Sequence, residues 1–205
     1  MIKLHEVSKT LKDKLILNNI SLSFEEGKIY LLRGQNGSGK TMLLRLLCGL
    51  IKPTSGTIES SDYTFGVIIE SPTFIEYETA RQNLKFLASI QKKINMKDIE
   101  KAMASVNLLD VIDTKVKKYS LGMKQRLAFC QAIMEDPDVL LLDEPFNALD
   151  EENYSNILQI LNEMKKNKII VIASHGHDEQ EHLNVDEIIN IENGSVLRIE
   201  NASET

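Results

Sequence analysis

Gly34–Thr41 reads GQNGSGKT and meets every fixed position of the phosphate-loop pattern G-x-x-x-x-G-K-[ST]. The chemistry such residues perform is anion capture. Gly34, Gly37 and Gly39 let the backbone turn its N–H groups inward where a Cβ would clash. A helix that starts directly behind the loop aims the positive end of its dipole at the same anion. The backbone of Gly34, Asn36, Gly37, Ser38, Gly39, Lys40, Thr41 and Met42 is therefore the expected cradle for a nucleoside triphosphate. Within it, Lys40 is expected on the β- and γ-phosphates and the Thr41 hydroxyl on Mg²⁺.

A second reactive stretch is Leu142-Asp143-Glu144-Pro145. Two carboxylates close an apolar run, and the C-terminal ends of strands are where open α/β sheets place their ligands. Asp143 is expected to hold Mg²⁺ opposite Thr41, directly or through water. Glu144 is expected to act as the general base that orients and deprotonates an attacking water.

The elements that must position these groups follow from hydrophobic period. Ile29–Leu32 before the loop, Val139–Leu142 and Lys168–Ala173 are apolar runs of the kind buried on both faces of a parallel sheet. Met42–Leu47 has the content of a buried helix and stops at Gly49. Ile2–Val7 and Ile20–Phe24 alternate, the former as an edge strand; Thr57–Ser60 and Thr64–Glu70 read as short strands. Helical patterns cover Ala80–Gln91, Met96–Val106, Leu121–Glu135 and Glu151–Lys165. Asp186–Ile191 and Ser195–Ile199 form a hairpin across Asn193-Gly194. Strands and helices alternating around a phosphate loop imply an α/β fold with a mainly parallel sheet, a small antiparallel β part and an α-helical lobe inserted at 71–131.

Composition excludes several classes of function. A formal net charge of −6, with no Lys/Arg run longer than two, argues against nucleic-acid binding through a basic face. Cys48 and Cys130 are too few for a disulfide framework or a metal knuckle. No apolar run approaches bilayer length and no signal-peptide layout opens the chain, so a soluble, cytoplasmic protein is expected, reaching a membrane only through a partner.

Tyr119–Arg126, YSLGMKQR, lies upstream of the acidic strand. Taken with the phosphate loop and Asp143-Glu144, it resembles the signature of ATP-binding-cassette (ABC) transporter ATP-binding subunits. Ser120 and Gly122 match two positions of that family's Leu-Ser-Gly-Gly motif, while Tyr119 and Leu121 replace the leading Leu and the first Gly. Asn147-Ala148-Leu149-Asp150 resembles the loop that carries Asp150 toward a second subunit. His175, with His177 as its rival, resembles the switch histidine that contacts the γ-phosphate; His5 and His182 read as packing or surface residues.

The resemblance implies a single nucleotide-binding domain over 1–205, with a P-loop NTPase core at 1–70 and 132–205 and a helical subdomain at 71–131. It implies ATP and Mg²⁺ as ligands, and partners in the form of membrane permease subunits and a second nucleotide-binding subunit, as homodimer or heterodimer. ATP would be hydrolysed by Glu144 with Lys40 and His175, between the phosphate loop of one chain and Ser120 and Gly122 of another. The expected location is the cytoplasmic side of the cell membrane. Two departures stand out: Glu70 takes the place of a Gln that ligates the metal, and Leu11 the place of an aromatic that stacks on adenine. Together with Thr79–Leu84 and the signature variant, Glu70 resembles the subgroup exporting bacitracin-like or lantibiotic peptides. The alternatives are a soluble ABC ATPase of an assembly system and a switch that binds ATP without turnover.

Overall fold

The computed structural model describes residues 1–70, 72–175 and 182–202. Two sheets form. The larger has six strands: β3 (Lys28–Arg33), β5 (Phe65–Ile68), β6 (Val139–Asp143), β7 (Ile169–Ser174), β8 (Glu187–Glu192) and β9 (Ser195–Asn201), in the spatial order β5-β6-β7-β3-β8-β9. All its pairings are parallel except β8 with β9. The phosphate-loop strand β3 lies near the middle, so its apolar run is buried on both faces.

Side-chain alternation divides the core. Ile29 and Leu31 of β3, Leu140 and Leu142 of β6, and Ile170 and Ile172 of β7 face one way. There they meet α2 (Ala80–Gln91), α3 (Met96–Ser105), α4 (Leu121–Ile133) and α5 (Glu151–Met164). Tyr30 and Leu32, Val139 and Leu141, and Val171 and Ala173 face the other way, against α1 (Lys40–Leu47) and the smaller sheet.

That smaller sheet is antiparallel, with β1 (Ile2–Leu11) between β2 (Lys14–Phe24) and β4 (Ser55–Ser60). Here the sequence expectation needs correcting. Ile2–Val7 alternates as an edge strand would, yet β1 is the central strand, and its polar residues lie on the sheet's open face rather than along a free edge. The β1–β2 hairpin also runs further than expected, turning at Lys12 and Asp13 with φ of 45° and 64°. No Gly marks that turn. The expected strand Thr64–Glu70 ends at Ile68, because Glu70 adopts a left-handed conformation with φ 65°. The helices otherwise end within a residue or two of expectation, as frayed boundaries do.

Candidate active site

β3 delivers the chain into the phosphate loop, and α1 begins at Lys40. Gln35, Asn36 and Gly37 form the exposed tip, while Ser38 and Lys40 are buried. Gly37 and Gly39 take the positive φ values, 82° and 113°, that turn the loop. Met42 packs in the first turn of α1 against the core on that side.

The loop is braced from outside by a contact the sequence does not announce. The Gly194 N–H of the β8–β9 turn donates to the Ser38 carbonyl at 3.0 Å, and the Gly194 carbonyl accepts from Asn18 of β2 at 2.8 Å. Asn193 and Gly194 (φ 47° and 78°) make the tight turn expected from their types.

Lys40 Nζ donates to the main-chain carbonyls of Gly34 at 2.6 Å and Gln35 at 3.4 Å. It meets no carboxylate among the described residues. A buried ammonium without a counter-charge is costly, and the arrangement suits an incoming anion. Ser38 Oγ, buried with no partner, is a second polar atom that a phosphate oxygen would satisfy. The residues present therefore fit a polyphosphate.

The carboxylates stand where expected. Thr41 Oγ1 donates to Asp143 Oδ2 at 2.6 Å, which brings together two hard oxygens from α1 and β6 that could hold Mg²⁺. Glu144, with φ 48°, anchors its N–H on the Ala173 carbonyl of β7 at 2.9 Å. Its carboxylate lies 2.7 Å from His175 Nδ1. With the carboxylate ionised, Nδ1–H donates and Nε2 is left to face another group. His177 lies outside the described residues.

Glu70 lines a cleft with Asp143, Glu144, Gln125 and Leu121. Its own carboxylate, however, pairs with Arg45, one helical turn beyond Thr41 on α1. That pair joins residues 25 apart in sequence, on α1 and just past β5, and no local spacing signals it. Leu11, the residue that stands in place of an adenine-stacking ring, is exposed at the end of β1 beside the Lys12-Asp13 turn.

At the other side of the cleft, Ser120 caps α4, its Oγ accepting from Met123 N at 3.2 Å. Tyr119 fills the place of the expected Leu as a buried ring whose hydroxyl donates to the Val111 carbonyl at 2.8 Å; burial pushes its pKa up to about 12. Leu121 is exposed, and Gly122 lies against the Ala148 carbonyl. Among the described residues, no hydrogen bond joins Ser120 or Gly122 to the phosphate loop. Asp150 caps α5, accepting from Asn153 N at 2.9 Å and from the Asn153 side chain, and those bonds hold its pKa below the usual carboxylate range.

The order of phosphate loop, capped signature helix and acidic strand can now be set beside known proteins. A model of the family described as ABC transporter matches residues 17–147. The chain belongs to the ABC transporter family. Among the ABC relatives, an uncharacterized ABC transporter ATP-binding protein of Bacillus subtilis, YybJ, is 45% identical over 87% of this chain and 87% of its own length. The lantibiotic transport ATP-binding protein SrtF of Streptococcus pyogenes is 33% identical over 89% of this chain and 83% of its own. The dimeric structure of the bacterial ABC transporter cassette MJ0796 superposes with a TM-score of 0.88 at 26% identity, covering 98% of this chain and 99% of that one. The α/β architecture with one parallel and one antiparallel sheet is thus the ABC ATPase cassette fold.

Proposed function

We propose that this chain is the ATP-hydrolysing subunit of an ABC transporter, converting ATP and water to ADP and phosphate to drive a separate membrane permease. The observation that carries this reading is the buried Lys40 ammonium, bonded to main-chain carbonyls alone, beside the Thr41–Asp143 pair and the Glu144–His175 pair. Lys40 would bind the β- and γ-phosphates, and Glu144 would accept the proton of the attacking water. His175, oriented by Glu144, would turn Nε2 toward the γ-phosphate. Thr41 and Asp143, joined by Glu70 once it leaves Arg45, would hold Mg²⁺, which when bound neutralises phosphate charge.

The chain would work as a dimer, homo- or heteromeric, with Ser120 and Gly122 of one subunit closing on the phosphates of the other and Asp150 at the interface. The dimeric neighbour supports this. The residues would divide into a core at 1–70 and 132–205 and a helical subdomain at 71–131. Ile75, Tyr77, Phe86 and Ile90 are each exposed, and these side chains would dock a permease at the cytoplasmic side of the membrane. Among the described residues no helix is long and apolar enough to cross a membrane. Likeness to the lantibiotic transport protein supports a role in transport, and export is the direction proposed.

Phosphate release by the purified chain, beside Glu144→Gln, is the test. Turnover that disappears in the variant while ATP still binds would establish the role of the base. ATP binding without turnover, in the presence of permease-containing membranes as well, would favour the non-hydrolysing switch.

A further inference from the structure

The backbone that carries Glu144 is in a conformation that side chains resist. Its φ of 48° lies in the left-handed region, and Ala148 (φ 62°) follows in the same loop. Such backbone persists only where neighbours over-determine it. On the strand side the Glu144 N–H is held by Ala173. On the helix side stands Gln125, buried in α4 at 8% exposure. Its Nε2 donates to the Glu144 carbonyl at 3.3 Å and to the Pro145 carbonyl at 3.1 Å. One amide with two hydrogens thus satisfies two successive carbonyls of the loop.

A second contact runs between the same two elements. A Cβ on Gly122 would meet the Ala148 carbonyl at 2.6 Å, so α4 and this loop touch backbone to backbone. Gly122 and Gln125 are three apart and therefore neighbours on one helical face. The first two turns of α4 and the Glu144–Ala148 loop are bound as one unit at two points.

We infer that Gln125 is a positioning residue for Glu144: its two donated hydrogen bonds hold the left-handed backbone that aims the carboxylate at His175, and they join the base to the Ser120-capped end of α4. The inference rests on the hydrolytic reading above, with Glu144 as base. Movement of the α4 N-terminus would reach Glu144 through this amide. Gly122 serves the same joint by its lack of a side chain.

The test uses Gln125→Met and Gln125→Glu, which keep the length of the side chain and remove the donors. Amide hydrogen exchange and ATP turnover are measured on both beside the wild-type chain. Exchange at residues 144–149 is expected to speed up about tenfold with the rest of α4 and the sheet unchanged. kcat is expected to fall about tenfold, with KM for ATP within about twofold. A fall in kcat with unaltered exchange would overturn the inference, as would faster exchange with unaltered kcat. So would protection lost throughout the chain in both variants, since Gln125 would then be a general packing residue. Absence of turnover in the wild type would count against the hydrolytic reading alone, and the exchange result would still decide whether Gln125 holds the loop.

Discussion

Among the described residues, main-chain carbonyl oxygens alone receive the Lys40 ammonium, and the consequence can be measured. Hydrogen bonds to charged groups contribute roughly 1.5–3 kcal/mol each, and 1.4 kcal/mol is about tenfold in affinity. Lys40→Ala should therefore weaken ATP binding about tenfold or more by fluorescent-nucleotide titration, while easing the burden of a buried charge on the free protein. Where Lys40, Thr41 and Asp143 would lie was legible at this scale, because motif spacing sets them at the start of α1 and the end of β6. The partnerships were less legible. Glu70 with Arg45 and Gln125 with the Glu144 carbonyl join residues 25 and 19 positions apart in sequence, through folds of the chain that local spacing does not encode.

Among elements, the β8–β9 turn has a use beyond ending a sheet. Gly194 supports the phosphate loop through Ser38, and a Cβ there would meet the Ile16 carbonyl at 2.2 Å with φ already at 78°. Gly194→Ala should cost about 2–3 kcal/mol in urea unfolding and weaken ATP binding with it, since strained backbone carries about that penalty. Ser120→Ala, by removing a helix cap, should cost about 1 kcal/mol in the same assay. The helices and buried strands were readable from their periods. The central position of β1 was not, because alternation reports that one face is wet and says nothing of what pairs at either edge. Nor was the Lys12-Asp13 turn, whose residues adopt positive φ under the pull of the paired strands.

At the scale of the whole molecule, two consequences follow. Asp138 accepts hydrogen bonds from Thr64 N at 2.8 Å and Thr64 Oγ1 at 2.7 Å, which hold its pKa below the usual carboxylate range. Its native value is below its unfolded one, so its contribution is complete above the unfolded pKa of about 3.9 and disappears as pH falls through the native value. Urea midpoints compared at neutral pH and below about pH 4 should show a smaller acid loss in Asp138→Asn than in the wild type. The second consequence concerns the exposed side chains of Tyr77 and Phe86. Phe86→Asp should leave basal turnover and thermal stability unchanged and reduce any stimulation by permease-containing membranes. Closure of two chains on ATP is measured by sedimentation of Glu144→Gln with ATP·Mg²⁺ and again with ADP. Twice the chain mass is expected with ATP and a single chain with ADP; a single chain with bound ATP at every protein concentration would rule out closure by ATP.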